Sequence, residues 1–219
     1  MTLTHKVIKT CNNPVNAVDP TGKVVIALDS ISQRNLTLTL SPDDEQYVKF
    51  TDGVLDVSLL NESESDYENI NALKALANSD TNYYVSMATS YSSNNEVSKL
   101  VDDPTKGCVG VTLVPKPSPE PSPDENVYIY VSSYRTSIGQ VHTMAHETYG
   151  HAYFYELRRQ GKDVYPFHTK GKISSYWEYE EILGIEVEVI EWGNTNFKLE
   201  KQIDIVSKQA EKFYKQRFR

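Results

Sequence analysis

One stretch of this sequence carries residues suited to metal-centred hydrolysis: Val141-His142-Thr143-Met144-Ala145-His146-Glu147-Thr148-Tyr149-Gly150-His151-Ala152. Imidazoles bind divalent metals such as zinc through a neutral ring nitrogen, and two of them on one helix face form the base of a site. A carboxylate beside the first imidazole does not reach the same ion; it holds the attacking water and takes its proton. His146 and His151 are therefore the expected ligands, and Glu147 the expected general base. His142 and His146, at i and i+4, are a second sound pair, but no glutamate follows His142 and that arrangement leaves the water without a base. The only cysteines, Cys11 and Cys108, lie too far apart in sequence for a thiolate zinc motif, so any metal here must use histidine and carboxylate.

The element that positions these groups is a helix predicted from Ser137 to Gln160. Gly161 is a suitable stop, and Arg158 and Arg159 in the last turn complement the helix dipole. His146 and His151 stand at i and i+5. An ideal helix would place their rings about 140° apart, against roughly 40° for i and i+4. One extra residue in the turn, a π-bulge, repairs this, and Gly150 is a permissive place for it.

The run His146-Glu147-Thr148-Tyr149-Gly150-His151 resembles the zinc helix of the dipeptidyl peptidase III family, a longer variant of the zincin motif. The zincin resemblance implies an α+β fold, with a small mixed or antiparallel sheet packed on the zinc helix and further helices toward the C-terminus. It also implies an edge strand before the zinc helix, for which Val127 to Val131 is the candidate. In the glutamate zincins the third ligand comes from a later helix. Here a helix is predicted from Ser174 or Ser175 to about Trp192, and it carries Glu180, Glu181 and Glu188. On a helix Glu181 and Glu188 share a face that is otherwise apolar, where an acid needs a partner. Glu181 is the expected ligand and Glu188 an outer partner, with Glu180 the rival. Zincins also stabilise the oxyanion of peptide hydrolysis with a tyrosine or histidine, and His168, Tyr165 and Tyr176 are the candidates.

Elsewhere the chain reads as strands at Lys23 to Leu28, Leu36 to Leu40, part of Val54 to Leu60, Tyr83 to Ala88 and Val109 to Val114. Helices are predicted over Tyr67 to Asn78 and Phe197 to Phe218. Five prolines between Pro115 and Pro123 make that segment an extended loop at the tip of a hairpin. Cys108 reads as a small core hydrophobe and Cys11 as a surface thiol.

The 219 residues carry a formal net charge of −8. An acidic chain repels nucleic-acid phosphates, which argues against nucleic acid as a partner. No apolar run approaches the roughly 18–20 residues of a membrane span. Met1 to Thr10 has two lysines but no apolar core and does not read as a secretory signal.

The segment Asn13-Pro14-Val15-Asn16-Ala17-Val18-Asp19-Pro20-Thr21-Gly22 resembles the end of the core domain of Rhs-repeat proteins, where a variable toxin tip begins. The acidic run with Glu180, Glu181 and Glu188 is similar to a pattern in metallopeptidase toxins at such tips. The resemblance implies a leader over residues 1–22 and a metallopeptidase domain over residues 23–219. It further implies delivery as part of a larger Rhs-type protein, a protein or peptide substrate, and an immunity protein as a partner. The expected function is thus zinc-dependent peptide hydrolysis. A metal-dependent nuclease tip and a non-catalytic interaction module are the alternatives.

Overall fold

A computed structural model describes residues 24–88, 101–102, 108–115, 126–170, 173–175, 188–190 and 194–218. The leader, Cys11, most of the proline-rich loop, Tyr176, Glu180 and Glu181 lie outside the described residues.

The fold is mixed α+β and is built on a six-stranded sheet. In chain order the strands are β1 (Val25–Ala27), β2 (Phe50–Thr51), β3 (Val54–Leu55), β4 (Asn82–Met87), β5 (Gly110–Leu113) and β6 (Asn126–Val131). Across the sheet the order is β2-β3-β1-β4-β6-β5. The central strands β1, β4 and β6 run parallel, while β3 on one side and β5 on the other are antiparallel to their neighbours. Tyr83, Val85 and Met87 of β4 and Val127, Ile129 and Val131 of β6 are buried on the same face, as period two requires.

That face packs against helix α1 (Ser30–Leu38) and against the long helix α4, which runs from Ser137 to Arg159; α3 (Glu68–Ala77) and α5 (Phe197–Arg217) pack on α4, with the short α2 (Val57–Asn61) beside α3. Leu36, Ile70, Leu73, Leu76, Val141, Met144, Tyr149, Val206 and Ala210 join the sheet residues in one core. Helix α4 is interrupted: Ser137–Ala145 is α-helical, His146–Ala152 is π-helical, and Tyr153–Arg159 is α-helical again. The distortion expected from the i, i+5 spacing is therefore present, and it is centred on the two histidines. Small two-stranded ladders follow, β7 (Thr169–Lys170) with β10 (Asn194–Thr195), and β8 (Ile173–Ser175) with β9 (Glu188–Ile190).

Three expectations are corrected. Leu36 to Leu40 is not a strand: Leu36 and Leu38 close α1, whose N-cap Asp29 accepts from the Ser32 amide at 2.8 Å. The residues that mimic alternation, Thr37 and Thr39, turn their hydroxyls onto helix carbonyls, Thr37 to Gln33 at 3.0 Å and Thr39 to Leu36 at 2.5 Å. The helix expected from Ser174 or Ser175 to about Trp192 is replaced at both ends by the β8–β9 pairing, with Ile173 opposite Ile190. Ile185 to Ile190 alternates β-branched residues with glutamates, a pattern that suits a strand better than a helix. Glu188 therefore sits on β9 and shares no helix face with Glu181. Finally, Val127 to Val131 is not the sheet edge. It lies between β4 and β5, and the outermost strand is β5.

Gly150 explains how α5 approaches the π turn. A Cβ at this position would stand 2.5 Å from Ile203 Cγ1 of α5. Alanine gains at most about 1 kcal/mol from helix propensity, whereas overpacking a core costs about 1–3 kcal/mol. Gly150→Ala is therefore expected to lower unfolding stability by about 1–2 kcal/mol, measured by urea titration. Unchanged stability would mean that Ile203 repacks freely.

Candidate metal centre

The π turn changes which faces of α4 coincide. His146 and His151 come together, with Nε2 to Nε2 at 3.2 Å and ring centroids 5.1 Å apart. Two nitrogens on one tetrahedral zinc, each about 2.0–2.1 Å from the ion, stand roughly 3.3 Å apart. The observed separation thus fits a shared ion.

The loop between α4 and β7 brings in a third imidazole. His168 lies 4.7 Å from the His151 ring and 5.4 Å from the His146 ring, centroid to centroid. One ring nitrogen from each of the three histidines lies within 4.8 Å of the others. The sequence singled out His168 as an oxyanion-stabilising candidate, but its position is that of a potential ligand. Nothing in the sequence connects it to the α4 motif, since the contact depends on how the loop folds back.

Each of the two later histidines is held by its outer nitrogen. His151 Nδ1 donates to the Pro166 carbonyl at 2.5 Å, which leaves a lone pair on Nε2. His168 Nδ1 pairs with Glu200 Oε1 of α5 at 2.6 Å, which leaves Nε2 as the nitrogen available to a metal. A backbone carbonyl or a carboxylate on the far nitrogen is the usual arrangement around metal-bound imidazole. His146 completes the set when its proton is on Nδ1; with the proton on Nε2, the 3.2 Å contact is an N–H···N hydrogen bond.

The electrostatics favour neutral rings. Burial, then the neighbouring His151 and His168, pushes the His146 pKa down to about 3. Burial pushes His151 down to about 4, against the opposing bond to the Pro166 carbonyl. Neutral imidazole is the form that binds a metal.

Glu147, only 5% exposed, meets strand β5. Thr112 Oγ1 donates to its Oε2 at 2.7 Å. Burial raises its pKa to about 7, with the Thr112 bond working against the rise. A Cβ on Gly110 would stand 2.8 Å from Glu147 Oε1 and 2.6 Å from Thr143 Cγ2, so glycine lets β5 pass this close to the helix.

The remaining candidates are placed as follows. His142 is not one of the three clustered histidines; it is half-buried on α4, with Nε2 3.8 Å from Glu211 Oε1. The Tyr165 ring carries the Arg158 guanidinium 4.9 Å from its centroid and packs edge-on to Phe167 at 5.1 Å. Cys108 is half-buried and its thiol donates to the Gly110 carbonyl at 3.2 Å, packed beside Ala88, Val101 and Tyr130. Among the described residues, no helix is long and apolar enough to cross a membrane. Comparison with protein-family models, with curated proteins and with solved structures finds no match.

Proposed function

We propose that this chain is a zinc-dependent peptidase with His146, His151 and His168 as the metal ligands and Glu147 as the general base. The observation that carries this reading is the π turn, which brings two imidazole nitrogens to 3.2 Å and also carries the buried Glu147. A regular helix would be the default for such a sequence, and π turns of this kind concentrate at functional sites.

Bound zinc supplies Lewis acidity, polarising a carbonyl and making water nucleophilic near neutral pH. The protein's own groups do the rest. Glu147 takes a proton at its carboxylate during attack and returns it to the leaving amine; its pKa, raised to about 7 by burial, suits a group that must do both. Thr112 Oγ1 holds one carboxylate oxygen in place. Strand β5 is the last of the sheet on its side, so an extended peptide has a ladder to join close to Glu147. Tyr165 remains the candidate for the oxyanion. The Rhs-like segment Asn13 to Gly22 supports delivery of the domain as the tip of a larger protein, with an immunity protein as its natural inhibitor.

The test is elemental analysis of the purified full chain followed by incubation with an unfolded protein and, separately, with DNA. One zinc per chain and chelator-sensitive cleavage of the protein alone are expected. Absence of stoichiometric metal, or cleavage of DNA instead, would overturn the assignment.

A further inference from the structure

We propose that Asn196, the N-cap residue of α5, is a positioning residue for the metal centre, acting through the loop that carries His168 and the carbonyl that orients His151. The inference rests on the metal-centre reading above.

Asn196 is 6% exposed, and its side-chain hydrogen bonds divide between two tasks. Its Oδ1 accepts from the Leu199 amide at 3.4 Å, which caps the helix. Its Nδ2 donates to the Tyr165 carbonyl at 2.5 Å and to the Phe167 carbonyl at 3.0 Å. These two carbonyls flank Pro166, whose own carbonyl receives His151 Nδ1. The Asn196 backbone amide also donates to the His168 carbonyl at 2.8 Å, extending the β7–β10 ladder into the loop. One residue thus grips three of the four carbonyls from Tyr165 to His168, and Glu200, one turn along α5, takes the His168 ring.

Capping alone would not require asparagine. Serine, threonine and aspartate cap as well, but none of them offers two side-chain N–H donors together with an acceptor. Both amide hydrogens point away from the helix, at the loop. Without them the Tyr165 and Phe167 carbonyls lose their partner, and the loop is free to shift. A shift of the Pro166 carbonyl releases the His151 tautomer, and a shift of His168 moves its ring from the cluster. Outer partners of metal-bound histidines govern affinity in this way.

The two tasks separate by substitution. Asn196→Asp keeps the cap acceptor and removes both donations, Asn196→Ser does the same without adding charge, and Asn196→Ala removes cap and clamp together. Zinc affinity is measured by competition with a calibrated chelator, cobalt(II) absorption reports the ligand geometry, and the melting temperature of the metal-free full chain reports the cap. The expected result is metal-free Asp and Ser variants that melt close to wild type but bind zinc about 10–100-fold more weakly, with an altered cobalt spectrum. If either variant restores both melting temperature and wild-type zinc affinity relative to Asn196→Ala, the residue is only a helix cap and the proposal fails. If wild-type protein binds neither metal, the metal-centre reading falls and takes this inference with it.

Discussion

Glu147→Gln is expected to retain zinc and to lose turnover, with kcat falling on the order of 10²–10⁴-fold, the range spanned by general acid–base groups. The amide keeps the size of the side chain and an oxygen for the Thr112 hydroxyl, so the loss would report the proton-transfer role and not a collapsed site. Zinc content measured on the same sample makes the distinction. A variant that keeps its metal and cleaves at the wild-type rate would remove Glu147 from the mechanism.

The same substitution is expected to stabilise the metal-free protein at alkaline pH. The carboxyl pKa in the folded chain, about 7, lies above the ordinary glutamate value of 4.5, because burial opposes the charge. Above pH 7 the folded state therefore bears the full cost of a buried carboxylate, up to about 3 kcal/mol for a shift of this size. As pH falls from 7 toward 4.5 the folded state takes up the proton first and the cost disappears. Glutamine has no such cost, so its advantage over wild type is largest at pH 8 and gone near pH 4.5. His146 and His151 work in the opposite sense: their folded pKa values of about 3 and 4 lie below 6.5, and stability is lost as pH falls from 6.5 through that window. That loss is common to both proteins and cancels in the difference. Melting curves of the metal-free pair between pH 4.5 and 8 test it, and a constant gap would mean that Glu147 is not desolvated. Greater stability with less activity is the trade expected of a group held in an unfavourable place for function.

The helix carrying His146 and His151 was legible because its constraint is local. Two imidazoles five positions apart cannot serve one ion on a regular helix, so the sequence itself demands a π turn once the function is assumed. The hairpin of β5 and β6, the helix α3 and the long α5 were readable for the same reason, from period and flanking turn residues. Leu36 to Leu40 misled because threonine hydroxyls can be satisfied inside a helix, so a buried threonine imitates the polar face of a strand. The acidic run misled in the other direction, since Glu181 and Glu188, seven residues apart, would share one face if the run were a helix. The edge of the sheet was misplaced because which strand lies outermost depends on pairing across the whole sheet, beyond any local pattern.

His168 and Asn196 were not legible as parts of one centre. Their link is a chain of hydrogen bonds between segments about thirty residues apart, from Asn196 to the Tyr165 and Phe167 carbonyls and from His168 to Glu200. A histidine in a loop carries no spacing signal relative to a motif on another element. The expectation of a glutamate ligand came instead from the acidic run, whose predicted helix is absent at both of its ends.

His168→Ala is therefore the substitution that decides what this residue does. If His168 is the third ligand, removing its ring takes away one of three protein donors, and zinc affinity should fall on the order of 10³-fold or more, beyond the roughly 10–100-fold typical of outer partners. Dialysis against a buffered chelator would then leave the variant without metal while wild type keeps it. If His168 acts only on the oxyanion, zinc stays and kcat alone falls, by about 10²–10³-fold, as for loss of one oxyanion donor. Glu181→Gln is the necessary counterpart. A three-histidine centre predicts wild-type zinc content in that variant, because no fourth protein ligand is needed for a catalytic ion that keeps one position open for substrate or water. Loss of zinc from Glu181→Gln with retention by His168→Ala would reverse the ligand assignment and return His168 to the oxyanion role. The half-exposed His168–Glu200 pair at 2.6 Å makes the first outcome the expected one. A carboxylate on Nδ1 leaves Nε2 as the free nitrogen, in a loop position next to the imidazoles of His146 and His151, and that orientation serves a metal better than it serves a donor hydrogen bond to substrate.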